Sequence, residues 1–512
     1  MNHLAVLPIV LPALTAALLL LIGRRQAIAR LVSVASIVGL LLVTISLVST
    51  ASSGAYQVYS LSEWQAPFGI LLVVDRLSAM LVMITALVAL GALVYATQGW
   101  DTRGRFFHPI FHFQLMGLNG AFLTGDLFNL FVFFEVLLIA SYCLLLHGLG
   151  KKRLKSAVHY VVINLTGSAV FLVAVSLLYS VTGTLNMAHL AERVAQAQPG
   201  DIALVRASGL MLMGVFGVKA AMFPLYFWLP SAYSSASAPV AALFAIMTKV
   251  GVYAIVRVSS LIFVAPAIGG DILAPWLLPV ALVTLGLAAF GALNSKRLAE
   301  LVAYLTVASV GTMLTAYAAG GAAGLSGALF YLVHSTFAVA AMFLLAEMIG
   351  SARGQVGDEL RAGPRIAQST TMGIGLLIAG AVLAGLPLSA GFLAKIMILK
   401  SLSDSVYVAW AWAVILLASL MTLIGLARAG SYMIWSGAEQ VADTTTAKRA
   451  NGLLPFAWLV GCSLFLAIFA APVKDYMNAA AEQLKNPAAY TQAAIGATAD
   501  RAPRIMQRGV AQ

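Results

Sequence analysis

Long apolar runs separated by short polar or basic breaks dominate this chain. About 20 apolar residues in a helix cross a hydrocarbon core of roughly 30 Å. Runs of that length fall near 4–22, 31–50, 70–96, 108–125, 128–147, 158–180, 207–228, 238–260, 273–293, 299–318, 325–349, 372–402, 407–427 and 452–471. The pattern predicts about fourteen membrane-spanning helices. The seventh run carries Pro224, and the twelfth is interrupted by GLPLSAG. Proline and glycine inside a span predict broken helices at both places. The first run has no basic start and is followed by Arg24 and Arg25, so it is read as a retained span and not as a cleaved leader.

Composition points the same way. The chain has 512 residues, 61% hydrophobic and 9% charged, where soluble domains carry about 25% charged residues. It cannot cover itself with polar surface and must use lipid as solvent. The expectation is an all-α polytopic membrane protein, one transmembrane domain over 1–512 with an extramembrane tail at 472–512. Two cysteines, Cys143 and Cys462, each lie inside an apolar run, which speaks against a disulfide framework or a cysteine metal site.

The net charge of +12 raises nucleic acid as a partner, but its distribution answers otherwise. GRRQAIAR, DTRGR, KKRLK, NSKR, Arg353, Arg361, Arg365, Arg428 and the Lys448–Arg449 pair all follow odd-numbered runs, whereas even-numbered loops hold little beyond Arg193 and Arg206. The positive-inside rule then places the odd loops in the cytoplasm and both termini outside.

KRLKSAVHYVVINLTG (152–167) and KRLAELVAYLTVASVG (296–311) share Lys-Arg-Leu, Val, Tyr and Gly at matched places, offset by 144 residues. That offset covers about five spans, an odd number, so a second copy would lie inverted in the membrane. Inverted repeats with broken helices mark secondary transporters, with the ion path near the midplane.

A charge at the bilayer centre costs on the order of 3 kcal/mol, so ionisable residues inside apolar runs are candidates for function. Lys219 lies deep in the seventh run, with the break at Pro224 expected to free carbonyls and admit water or a partner. Lys249 lies near the middle of the eighth run, Glu135 in the fifth, His334 in the eleventh, and Lys395 just after the break of the twelfth. Two broken helices with one lysine each, one in either half, form a stronger pattern than either lysine alone. A contact between Glu135 and Lys219 is hypothesised: when the carboxylate moves away, the amine loses its counter-charge and passes its proton on. His334 is a natural relay if water reaches it. His159, His112 and Asp75 sit near run ends and are expected to face the headgroups. No Gly-rich phosphate loop, Cys-x-x-Cys, or haem or zinc spacing is present. No ATP, flavin, iron–sulfur or metal site is therefore predicted, and energy must come from an ion gradient or from partner subunits.

GVKAAMFPLYFWLPSAYSSASAPVAALFAIMTKVGVYAIVR (217–257) resembles the signature region of the antiporter-like subunits shared by respiratory complex I and the Mrp-type multisubunit cation/proton antiporters. The resemblance runs from about 60 to 430. WQAPFGILLVVDRLSAMLV (64–82) and TGDLFNLFVFFEVLLIASYCLLLHG (124–148) look closer to the D-type subunits of the Mrp (Mnh, Pha) group than to complex I. The resemblance implies fourteen helices with two inverted five-helix repeats, the fourth to eighth and the ninth to thirteenth, here about 105–260 and 272–430. It implies that Glu135, Lys219, Lys249, His334 and Lys395 form a proton-translocating chain across a bacterial cell membrane. By the same resemblance, the other Mrp subunits are its partners and H⁺ and Na⁺ or K⁺ its ions. The competing class is a redox-coupled membrane-arm subunit of a quinone reductase or membrane-bound hydrogenase. A passive scaffold would not need the repeated lysine-and-break arrangement.

Overall fold

The structure is a computed structural model that describes residues 3–23, 25–61, 69–366, 368–435, 438–441 and 452–499. Arg24, residues 64–68 of the quoted 64–82 stretch, the Lys448–Arg449 pair and the end of the tail, 500–512, lie outside the described residues.

The chain is nearly all helical. Two helices, α1 (Leu7–Ile22) and the longer α2 (Gln26–Ala51), lead into an antiparallel ribbon, β1 (Gln57–Ser60) with β2 (Leu71–Val74). Then come α3 (Arg76–Ala96), α4 (Phe107–Leu123), α5 (Leu127–Leu146), α6 (Lys151–Thr182) and the short α7 (Met187–Ala195). Next, α8 (Ile202–Ala220) breaks before α9 (Trp228–Ser235), followed by α10 (Ala238–Ile262), α11 (Ala274–Asn294), α12 (Leu298–Ala319) and α13 (Gly321–Ala352). After β3 (Pro364–Arg365), α14 (Ser369–Ala384) breaks before α15 (Ala390–Ser401). Then follow α16 (Val408–Gly430), β4 (Ala438–Val441), α17 (Leu453–Ile468), α18 (Ala470–Leu484) and α19 (Pro487–Ala499). Strands β3 and β4 pair in parallel.

About fourteen spans are expected from the sequence. Among the described residues, ten helices are long and apolar enough to cross a membrane, or up to eleven if α17 and α18, bent by 83°, are one span. The difference lies in short helices: α1 has 16 residues, α4 has 17, and the twelfth run divides into α14 and α15. The third run also starts later than its hydropathy suggests. Residues 71–74 are ribbon, and Asp75 caps α3 by accepting from Ser78 N.

Hydrophobic all round, α10 and α13 have spans that are wholly buried, as befits the central helices of a large bundle. The outer helices α2, α6 and α16 turn leucines, valines and tryptophans outward. The basic loops gather at one end. There Arg153 donates to Ser235 O, Arg297 to Ser234 O and to Asp358, and Arg428 to Ser295 O. Asp101 receives Arg30 at 2.6 Å and His108 at 3.2 Å. Burial works against its charge, but these hydrogen bonds win and hold the carboxyl well below the usual carboxylate range.

Two expectations are corrected. Asp75 does not face headgroups: it is 1% exposed and pairs with Arg257 of α10 at 2.6 Å. His112 is fully buried in the bundle, with neither ring nitrogen bonded; His159 is exposed, as expected. The described part of the tail packs against the bundle. Tyr476 donates to Arg76 O, Gln483 bridges Arg76 N and Gly54 O, and the Tyr490 ring lies over Arg257. Removing one partner of a buried ion pair strands the other charge, at a cost of about 3–5 kcal/mol. Arg257→Ala is therefore expected to lower the melting temperature of the purified protein, and Arg257→Met with Asp75→Asn to recover part of it.

Candidate functional site

The first group forms where α5, α6 and α8 meet. Glu135 on α5 is half-buried and accepts a short hydrogen bond from Ser168 Oγ of α6. Lys219, one residue before the end of α8, is 6% exposed. Its Nζ lies 3.4 Å from Ser168 Oγ, 3.3 Å from Asn164 O and 3.5 Å from Asn164 Oδ1. The structure thus brings Glu135 and Lys219 together through the Ser168 hydroxyl and not as a direct ion pair. The break serves Lys219 differently from the expectation. Ala221 takes a left-handed φ of 58°, and the carbonyl of Val218 accepts the Trp228 indole N–H at 3.2 Å. That carbonyl, which also accepts the Ala221 N–H, is taken by Trp228, while the amine reaches sideways to α6.

The second group lies on α10. Lys249 is 0% exposed, and its Nζ donates to Ser309 Oγ of α12 at 2.7 Å. Two residues on, Gly251 lets α10 press against the end of α8: a Cβ there would fall 2.4 Å from Ala220 N and 2.7 Å from Lys219 C. Only a residue without a side chain permits backbones this close. This crossing presses α10, two residues from Lys249, against the backbone of Lys219 and Ala220.

The third group surrounds the second break. His334 on α13 is fully buried; Nδ1 lies 3.4 Å from Ser463 Oγ of α17, and Nε2 has no hydrogen-bond partner. That nitrogen faces Gly391 at the start of α15, where a Cβ would fall 2.6 Å away. Lys249 and Lys395 both lie within reach for their charges to act on the ring. Lys395 is the residue that uses a carbonyl freed by a break: Nζ donates to Ala384 O at 2.7 Å and to Ser419 Oγ of α16 at 3.0 Å. A cavity of ≈ 20 Å³ beside it, lined by Thr312, Tyr331, Ser419 and Thr422, is large enough for about one water.

All five predicted residues therefore meet polar partners inside the bundle. They form three groups: Glu135, Ser168 and Lys219; Lys249 with Ser309; and His334 with Lys395 and Ser419. None of the three lysines has a carboxylate within ion-pair distance among the described residues. An ammonium in low dielectric held by hydroxyls and carbonyls is costly, and a neighbouring charge or water decides whether it persists. Such groups can hand protons on through hydroxyls and single waters. Sequence reasoning missed the hydroxyls that meet these side chains, because serines and threonines inside a span carry no signal of their own. It also missed Arg257, although a charge inside the eighth run was legible.

Residues 124–425 match the family model described as NADH:quinone oxidoreductase/Mrp antiporter, transmembrane. The D-type subunit of a probable K⁺/H⁺ antiporter of Rhizobium meliloti is 37% identical, over 97% of this chain and 98% of that protein. The D-type subunit of a Na⁺/H⁺ antiporter of Alkalihalophilus pseudofirmus is 35% identical, over 97% and 100%. The fold superposes on a chain of the Mrp complex of Dietzia sp. with a TM-score of 0.87, at 26% identity, covering 97% of this chain and all of that one. A family model spanning more than half of the chain, with relatives similar over nearly its whole length, makes this chain a member of the membrane-subunit family that NADH:quinone oxidoreductases and Mrp antiporters share.

Proposed function

We propose that this chain is the proton-translocating subunit of a multisubunit monovalent cation/proton antiporter, which uses the proton gradient to drive Na⁺ or K⁺ out. The observation that carries the reading is the set of buried groups itself: three lysines and a histidine, each meeting a hydroxyl of a neighbouring helix, with Ser168 joining Lys219 to Glu135. Glu135 sets the charge state of Lys219 through Ser168. Lys249 and His334 carry the proton past the centre, and Lys395 exchanges it at the second break. The names of the relatives, both D-type subunits of cation/proton antiporters, support the same reading, as does the likeness to a chain of a multisubunit complex. The other subunits of such a complex are its partners.

Two inverted units, about 105–260 and 272–430, account for the paired breaks. The 144-residue offset between the KRL segments also aligns Ser168, beside Lys219, with Thr312, which lines the cavity beside Lys395. In a bacterial cell membrane the basic loops face the cytoplasm, both termini lie outside, and the tail beyond 472 is extramembrane.

The test uses everted vesicles holding the whole complex, with an imposed proton gradient and no electron donor. Added Na⁺ or K⁺ is expected to release protons from the acidified lumen. A requirement for NADH or another donor would replace this reading with the redox-coupled one.

A further inference from the structure

At the end where the basic loops gather, a cavity of ≈ 300 Å³ opens between the α9–α10 corner and the last turns of α13. Its walls are small or polar, with Ser234, Ala241, Ala346 and Gly350 among them, and it holds space for several waters. Two carboxylates line it: Asp358, which is paired with Arg297 in the same wall at 2.6 Å, and Glu347 on α13. Glu347 is part of no ion pair among the described residues. The charges around it come from other elements: Arg103 from the loop after α3, Arg153 from α6, Asp358 from the loop after α13 and Arg297 at the start of α12. Arg103 and Arg153 are themselves fixed, stacked over the Trp100 ring at 3.8 and 5.0 Å.

Aromatic residues line the inner side of the cavity. Tyr233 lines it, donates to Phe244 O at 2.9 Å, and meets the Phe244 and Phe343 rings at 5.3 and 6.3 Å. From Ala241, also in the wall, Lys249 lies eight residues further along α10, about 12 Å at 1.5 Å per residue. His334 sits thirteen residues before Glu347 on α13, about 20 Å by the same rise. The cavity thus stops about 12 Å short of Lys249 along α10, with the Tyr233, Phe244 and Phe343 rings packed together at its inner side.

We propose that Glu347 is a proton-loading residue and that this cavity is the port through which Lys249 exchanges protons with the side of the basic loops. Water in the cavity delivers a proton to the carboxylate. Glu347 passes it on when Tyr233, Phe244 and Phe343 part to admit water toward Lys249, and the carboxylate is regenerated. The inference rests on the proton-translocating reading given above.

Everted vesicles expose this end to the medium, so medium pH reports on it directly. Glu347→Gln, which keeps the shape but carries no proton, is expected to slow cation-driven proton movement at least ten-fold. It should also flatten the dependence of rate on medium pH, which loss of a merely structural contact would not do. Glu347→Asp should retain a pH dependence. Ala299→Trp, which fills the cavity from α12 without changing charge, should slow exchange as well, and it carries the test if Glu347→Gln fails to assemble. Wild-type rate and pH profile in assembled Glu347→Gln, or wild-type rate in assembled Ala299→Trp, would overturn the port. Lys249→Ala in the same assay separates the levels. If Lys249→Ala is inactive and Glu347→Gln is normal, only the port is wrong; if both are normal, the proton reading fails with it.

Discussion

Lys219→Ala is expected to abolish proton-coupled cation exchange, by about 10²-fold or more, the range by which a positioned proton donor or acceptor contributes. The amine is what links Glu135 to the other buried groups: it is the cation beside Ser168, and Ser168 holds the carboxylate. Without it, a proton reaching Glu135 has no acceptor on the side of Lys249. Assembly should survive. Alanine is the best helix former, and the truncation breaks no ion pair. Asn164 and Ser168 keep hydrogen bonds within α6, and water can take the place of the amine. Lys219→Arg adds a sharper control, since a guanidinium keeps the positive charge but does not release its proton. It should be inactive too if proton exchange, and not charge, is what the site supplies. Everted-vesicle transport beside quantitation of the intact complex checks both. Wild-type rate in Lys219→Ala would remove this residue from the route.

Gly251→Ala is expected to be the most damaging single methyl addition in the first half. The new Cβ would meet Ala220 N at 2.4 Å and Lys219 C at 2.7 Å. These are backbone atoms at the end of α8, and no rotamer change relieves them. Overpacking of this kind costs about 1–3 kcal/mol or more, and relief requires α10 to move away from α8. That movement shifts Lys249 and its helix relative to Lys219, so transport should fall further than stability. A lower melting temperature of the complex together with transport well below its residual assembly is the expected result. Normal melting and normal transport would show that the close crossing is dispensable.

How much of this was legible beforehand can be read from single residues. Lys219, Lys249 and Lys395 stand out in sequence because a charge within an apolar run is expensive in lipid. GLPLSAG and Pro224 stand out because backbone chemistry interrupts helices wherever it occurs. Both signals are local, and the structure places a break at each. Asp75 misled for the complementary reason. At the edge of an apolar run it reads as a headgroup contact, yet its partner Arg257 lies 182 residues away. Glu347 looks like an ordinary charge near the end of a long helix until the cavity and the arginines around it are seen.

The sequence alone determined the solvent, the helical class, the gathering of basic loops and the residues whose burial demands an explanation, since each follows from composition or from neighbours along the chain. Only the tertiary structure decided what those residues touch. Ser168 for Glu135 and Lys219, Ser309 for Lys249, Ser463 for His334 and Ser419 for Lys395 come from other helices, and which hydroxyl meets which amine depends on helix crossings such as that at Gly251. Packing sets those crossings over tens of residues, and no local pattern of polar and apolar positions encodes them.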